Sequence, residues 1–423
     1  MSTVVVEMPA ESLTKGLYVC GLDRPWEGTP FLFQGFVIES DTELQMLRRL
    51  CKCVYVEASV EDAEQLRAVY RKSAVIVEPA AEPDDPLATL SRNPAALIVK
   101  GPSKEPVHIE AELNVAKGVF AEAKLAIGTV FDHLRRGGSL DVSQLQSVVG
   151  SMVESIFRNR DALSWLASMK NKDDYVYSHS LACSVWTLAF GRHLGLDKDT
   201  LTVAGTGAML LDIGKTHLPD GLLRKPGTPT DEEWVLIRAH ADRSVELLKA
   251  TAPLDPRIIQ MVATHHERSD GSGYPEGLKG DQIPFLGRVA AIVDCYDAMI
   301  SQRSYAAAKS TYDAVRELKQ LARAGLPADL VDLFIQAIGV FPTGSLVELN
   351  TGEVGIVIGQ NRYRRLRPEI MLILDAAKNV RKDFVKLDLL TCPDNNSSAE
   401  PGVWIDRSLQ PGAYGVDPAG FFL

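Results

Sequence analysis

The sequence has no uninterrupted run of about 20 apolar residues, so a membrane-spanning helix is not expected. It has no basic surplus either. Its 55 acidic residues outnumber 45 basic ones, a formal charge of −10. Binding to a phosphate backbone needs a basic surface, so nucleic acid is not an expected partner. A small anion could still be held where basic groups or metals converge. Cysteine is sparse and scattered: Cys20, Cys51, Cys53, Cys183, Cys295 and Cys392. Cys51-Lys52-Cys53 has one intervening residue and no second pair, which argues against a metal knuckle. Reduced thiols, and with them a cytoplasmic location, are the simplest reading. Met1 to Lys15 lacks a basic stretch followed by an apolar core, so no signal peptide is expected. No internal repeat is found.

What is present is ordinary globular material, 46% hydrophobic and 24% charged. A length of 423 residues is long for one core and predicts two or three domains. Residues 1–75 read as a small α/β module. Leu17-Tyr18-Val19, Phe31-Leu32-Phe33 and Val54-Tyr55-Val56 are strand-like, and Glu43 to Leu50 is helix-like. Residues 76–108 carry many prolines and small residues and mark a linker. Residues 109–160 are helical and amphipathic with a break at Gly137-Gly138, either a packing or dimer surface or the first helices of the next domain.

Residues 161–340 predict a compact all-helical domain. Thr230-Asp231-Glu232-Glu233 fits a capping box, with Trp234, Ile237, Ala241, Val245 and Leu248 following as one inward face. Pro256 suits the first turn of another helix. In residues 341–423, Leu346 to Leu349 and Val354 to Ile358 flank Thr351-Gly352 as a hairpin. The tail after Pro393 reads as irregular.

His265 and His266 follow Ile258 and Val262 at helical spacing, so both face inward. Two adjacent buried imidazoles need something to satisfy both rings: hydrogen bonds in a core, or a metal. His240 lies three residues after Ile237 and also points inward; alone, it reads as a satisfied core histidine. His179 opens another core helix, and the same applies. Asp212 ends the apolar Ala208-Met209-Leu210-Leu211, and Asp294 follows Val289-Ala290-Ala291-Ile292-Val293. Either acid alone could cap a helix or complete an ion pair. Together, four histidines and two aspartates on separate helices are what a helix-bundle metal centre uses. Lys215 could neutralise a developing phosphate charge or be a solvated terminal lysine. The loop Asp270-Gly271-Ser272-Gly273-Tyr274-Pro275 offers tight turns and an aromatic face suited to stacking on a base.

These residues resemble the bacterial HD-GYP phosphodiesterases. The resemblance runs through Leu211-Asp212-Ile213-Gly214-Lys215, Leu223 to Gly227, His265-His266-Glu267, Asp270 to Pro275 and Ala291 to Met299. The segments Asp23 to Trp26 and Phe31 to Phe36 are similar to an uncharacterised module that often precedes such domains. The resemblance implies a mainly α protein. Its HD-type metal-dependent phosphohydrolase domain would follow a small α/β module and precede a short β-hairpin tail. It implies two or three iron or manganese ions and hydrolysis of cyclic di-GMP to a linear dinucleotide or GMP in second-messenger signalling. Diguanylate cyclases or other signalling proteins are candidate partners.

Carried over by position, Asp212 would bridge metals; His240, His265 and His266 would complete one shell; His179 and Asp294 would serve its neighbour. Lys215 would sit by the scissile phosphate, Gly273, Tyr274 and Pro275 would border the pocket, and Arg303 would contact phosphate. Leu211 stands where the family has histidine, leaving one metal site complete and the other short of a ligand. Tyr175 and Ala306 replace a third-metal ligand and a basic residue. The expectation is a phosphodiesterase of reduced activity; the rival is an inactive cyclic di-GMP sensor or interaction module.

Overall fold

The computed structural model describes residues 3–23, 35–38, 40–59, 75–76, 107–138, 141–169, 175–223, 225, 227–250, 254–302, 307–361, 364–392 and 402–416. The chain divides into two compact units, Met1–Thr89 with Asn361–Arg365 and Leu90–Gln360 with Leu366–Leu423.

In the first unit, β1 (Thr3–Pro9) pairs antiparallel with β4 (Cys53–Ser59) and β5 (Val75–Ile76), and β2 (Tyr18–Leu22) pairs with β4 and β3 (Phe36–Val37). Val6 faces Val56 and Met8 faces Val54 across the ladder. The period of two sends all four to one face, where they are fully buried with Leu47 of α1 (Asp41–Leu50). Ser40 and Glu43 form a capping box that starts α1. The expected strand at Phe31-Leu32-Phe33 lies outside the described residues. The strand β1 was not anticipated, although Val4-Val5-Val6 is a β-branched run.

The second unit opens with α2 (Ile109–Arg135) and α3 (Ser143–Arg158), which turn back at Gly137 (φ +78°). Buried Glu112 ties the pair together. It accepts from Arg158 Nε at 2.7 Å and Nη2 at 2.9 Å, and from Ser155 Oγ at 2.7 Å. The chain continues through α4 (Arg160–Ser168), α5 (Tyr175–His193), α6 (Lys198–Leu210), α7 (Asp220–Leu223), α8 (Asp231–Arg238), α9 (His240–Lys249), α10 (Pro256–Thr264), α11 (Phe285–Ile300), α12 (Thr311–Leu321) and α13 (Ala328–Ile338). α6 packs against α3, α5 and α10, and α11 packs against α5 and α10. Edge-on rings join three of these helices: Trp186 to Tyr296 at 5.5 Å, Tyr296 to Phe334 at 5.2 Å and Phe190 to Phe334 at 5.3 Å. Such pairs contribute about 0.5–1.5 kcal/mol each beyond area burial.

The single helix expected after Thr230 is two. The capping box of Thr230 and Glu233 is present, but the helix stops at Arg238 and restarts at His240. No residue of α8 is buried, so its Trp234 and Ile237 do not form the inward face predicted for them. The break lets the Ile237 carbonyl accept from His240 Nδ1 at 2.6 Å.

The expected hairpin is β6 (Leu346–Leu349) with β7 (Val354–Gly359), turning at Gly352 (φ +85°). The sheet reaches further than predicted. β8 (Glu369–Leu374) and β9 (Val380–Asp388) extend one side, and β10 (Ile405–Ser408), from the tail read as irregular, closes the other. The four-residue β10 is too short to show an alternating pattern; pairing to β6 makes it a strand. Among the described residues no helix is long and apolar enough to cross a membrane.

Candidate metal centre

Asp212 sits between α6 and a 3-10 turn, Ile213–His217. Its backbone is drawn close to α9 by Gly214, where a Cβ would collide with the His240 carbonyl oxygen and the Ser244 backbone nitrogen. Ser244 Oγ completes the seam. It accepts from Gly214 N at 2.8 Å and donates to the Leu211 carbonyl at 3.0 Å. The aliphatic side chain of Leu211 is 2% exposed. This packing delivers Asp212 Oδ1 to within 3.2 Å of His240 Nε2.

His265 and His266 leave the C-terminus of α10, and their imidazoles reach the same point. His266 Nε2 lies 3.1 Å and His265 Nε2 3.5 Å from His240 Nε2. The tautomers follow from the other ring nitrogens. His240 Nδ1 meets the Ile237 carbonyl, and His265 Nδ1 meets the Val262 carbonyl at 2.7 Å. A carbonyl only accepts, so both Nδ1 atoms carry a proton, and in a neutral ring the Nε2 atom then presents a lone pair. Burial, with the neighbouring His240, pushes the His265 imidazole down to about 4, which keeps it neutral. Burial, with His265, also holds His266 well below its ordinary value.

With both rings neutral, the Nε2 lone pairs of His240 and His265 face each other at 3.5 Å, an arrangement that a cation between them would relieve. Donors about 2.1 Å from one first-row metal ion stand roughly 3.0–3.4 Å apart, close to the 3.1 and 3.5 Å between His240 Nε2 and the other two Nε2 atoms and the 3.2 Å between His240 Nε2 and Asp212 Oδ1. The donor set of three imidazoles and one carboxylate suits iron, manganese or zinc.

On the other side of Asp212, Oδ2 accepts from Lys215 Nζ at 2.7 Å and lies 3.6 Å from His179 Nε2. His179 Nε2 is 3.0 Å from Asp294 Oδ1. Asp294 Oδ2 is 3.9 Å from His266 Nδ1, which joins the two sides. Burial raises the carboxyls of Asp212 and Asp294, but nearby cationic and hydrogen-bonding groups outweigh it. Lys215 holds Asp212 well below the usual range, and the hydrogen bond with His179 does so for Asp294. All six expected side chains, His179, Asp212, His240, His265, His266 and Asp294, therefore meet, with Lys215 beside them. Arg303 lies outside the described residues.

Three features were not legible beforehand. Fully buried Asp297 bonds His179 Nδ1 through Oδ2 at 2.6 Å and accepts from Trp186 Nε1 through Oδ1 at 3.0 Å. It lies one helical turn after Asp294, which was its only signal. Buried Glu267 accepts from the backbone N–H groups of Glu276 at 2.7 Å, Gly277 at 3.2 Å and Leu278 at 2.9 Å, and so pins the loop beyond Pro275. Gly273 permits that fold, since a Cβ there would strike the backbone of His266, Glu267 and Arg268. Tyr274 differs from expectation: its ring stacks on His266 (centroids 4.6 Å, 25° apart), and Arg238 lies 5.3 Å over it. The ring that was to receive a base is already engaged by two side chains.

A second group, His179, Cys183 and Asp297, is also close-set. Burial pushes the Cys183 thiol up to about 11, so it stays protonated and acts as a small core residue.

A family described as an HD domain matches residues 161–326, a domain of unknown function matches 6–145, and a KOW domain associated with HD domains matches 346–396. A cyclic di-GMP phosphodiesterase of Pseudomonas aeruginosa is 32% identical over 376 residues, 88% of this chain and 86% of that protein. One from Thermotoga maritima is 31% identical over 182 residues, 43% of this chain and 49% of that protein. A solved HDG"Y"P protein from Bdellovibrio bacteriovorus aligns with a TM-score of 0.45 at 17% identity, over 78% of this chain and 98% of that one.

Proposed function

The chain belongs to the HD-GYP family, and we propose that it is a metal-dependent phosphodiesterase. It cleaves cyclic di-GMP to the linear dinucleotide, to GMP, or to both, at a rate lowered by Leu211. The observation that carries this reading is the meeting of the Nε2 atoms of His240, His265 and His266, with Asp212 Oδ1 against His240 Nε2. Those four side chains would hold one ion, iron or manganese. His179, Asp294 and the second oxygen of Asp212 would hold another. A metal bound there supplies Lewis acidity toward a phosphoryl oxygen and toward water.

The chain's own groups do the rest. Asp212 offers one oxygen to each side, so it fixes the spacing of the two positions. Asp297 holds His179 with Nε2 toward the site. Lys215 carries a positive charge at the same carboxylate, where it can donate to the scissile phosphate or to the departing oxygen. Gly273, Tyr274 and Pro275 border the pocket, and Tyr274 braces His266 rather than offering an open face.

The lowered rate follows from chemistry. Leucine has no donor, so the His179 position has three protein ligands, one imidazole and two carboxylates, and lacks a fourth. Those three ligands would hold an ion less tightly, and the Lewis acidity it would supply toward water would fall with its occupancy. A second reading is a cyclic di-GMP sensor that recruits signalling proteins without turnover. It is favoured by the same Leu211 and by Lys215 already occupying Asp212 Oδ2.

The test is to count bound iron and manganese in the purified chain and follow linear dinucleotide and GMP release from cyclic di-GMP, with Leu211→His alongside. The enzyme reading expects slow release by the natural chain, and faster release with more metal in Leu211→His. Tight binding without turnover in the natural chain favours the sensor. Inert protein with full metal in both forms removes the enzyme reading, and failure to bind the nucleotide removes both.

A further inference from the structure

An anion approaching this acidic chain needs cations near the metal centre, and the described residues offer three candidates. Lys215 is committed to Asp212. Arg268 donates to the carbonyls of His265 and Glu267 and to Cys295 Sγ. Arg238 differs. It is exposed, it ends a helix with no buried residue, and its sole contact among the described residues is the ring of Tyr274. In a chain with ten more acids than bases, it has no carboxylate partner there.

Arg238 is nevertheless not adrift. The guanidinium lies over Tyr274, and Tyr274 lies on His266, whose Nε2 belongs to the centre. The guanidinium carbon lies 5.3 Å from the ring centroid, and among the described residues no carbonyl or carboxylate accepts from its N–H groups. Those donors can therefore form a bidentate pair with phosphate oxygens. The stack therefore holds an uncommitted planar cation at the rim, two ring-stacking steps from the imidazole.

We propose that Arg238 is a phosphate-binding residue that grips the second, non-reacting phosphodiester of a cyclic dinucleotide whose first phosphate lies at the metal centre. This rests on the phosphodiesterase reading above. It adds a selection rule: the site distinguishes a ligand with two linked phosphates from one with a single phosphate.

The test uses the full-length, metal-loaded chain and equilibrium binding of two probes, the bis-phosphorothioate analogue of cyclic di-GMP, which resists hydrolysis, and GMP. Arg238→Ala should weaken the analogue roughly tenfold, the loss of one charge-assisted pair. GMP affinity and bound metal should not change, the salt dependence of analogue binding should fall, and Arg238→Lys should recover part of the loss. Unchanged analogue binding in Arg238→Ala overturns the proposal. So does a parallel loss for GMP, which assigns Arg238 to the reacting phosphate, and so does a fall in bound metal, which makes it only a brace for Tyr274 and His266. If the unaltered chain binds neither probe, the phosphodiesterase reading fails and this inference with it.

Discussion

Two of the buried carboxylates in the second unit solve the problem of burial in opposite ways. In the C-terminal sheet, Glu348 is 8% exposed and meets donors on every side. Lys378 Nζ lies at 2.8 Å, Arg407 Nε and Nη2 at 3.0 and 2.7 Å, and Tyr414 Oη at 2.9 Å. In the helical bundle, Asp212 is 3% exposed and has one lysine. Its other neighbours are the imidazoles of His240 and His179, which turn Nδ1 away from it, toward the Ile237 carbonyl and the Asp297 carboxylate. The sheet neutralises its acid from within. The bundle leaves donor atoms that only an added cation can satisfy. Burial alone does not mark a functional site; burial with surplus acceptors does.

The largest effect that tests this contrast is Asp212→Asn. It should leave the fold intact and lower metal affinity and turnover by at least about a hundredfold, the upper range already seen when only an outer-shell partner is lost. Metal counting and thermal unfolding of the metal-free protein read the two properties separately. If the metal-free variant unfolds as readily as one lacking Glu348, the contrast between the two acids breaks down.

Asp297→Asn comes next. The carboxylate accepts from Trp186 and Ser301 as well as bonding His179, so an amide nitrogen in its place would face at least one donor. His179 loses its anionic anchor, and affinity at its side of the centre should fall about 10–100-fold. The His240, His265 and His266 side should keep its ion. Metal titration would then show one class of site weakened and the other unmoved; equal weakening of both would contradict two separable halves.

Glu267→Gln should be milder. A glutamine oxygen can accept from some of the three loop N–H groups, but its NH2 opposes the rest. KM should rise several-fold through a loosened loop, with metal content unchanged. A matching loss of metal would show that the loop and the His265-His266 pair are one unit.

The sequence displayed the ligands but not their supports, for a physical reason. His240, His265 and His266 stand out because imidazoles at inward helical positions conflict with an apolar face. The capping box at Thr230 and the proline of α10 were readable because caps act within four residues. Asp297 and Glu267 bond groups brought to them by tertiary packing, and nothing local distinguishes them from solvated acids. The break at Ala239 was hidden for the same reason. The apolar period runs across it, and only the close approach of Gly214 to His240 shows why the chain bends there. The short β10 acquires its strand character from β6 rather than from its own residues.

The one effect expected on stability alone, with metal and substrate untouched, belongs to the self-neutralised acid. Burial favours the protonated form of Glu348, but Lys378, Arg407 and Tyr414 outweigh it and hold the carboxyl down to about 2, against 4.5 for an ordinary glutamate. The folded-state value is depressed, so the unfolded chain takes up protons first as the solution is acidified. The stabilisation is whole above about pH 4.5 and is lost as pH falls from there toward about 2. Glu348→Gln removes the charge at every pH and should cost about 1–3 kcal/mol near neutrality. Its stability should then fall less steeply than that of the unaltered chain across that window. Because the acids of the metal centre titrate as well, the readout should be local: amide exchange at Val347 and Val354 in the paired strands β6 and β7. Parallel acid profiles in the two proteins would mean that Lys378 and Arg407 gain nothing from Glu348, and that the sheet's acid is as dependent on something external as the bundle's.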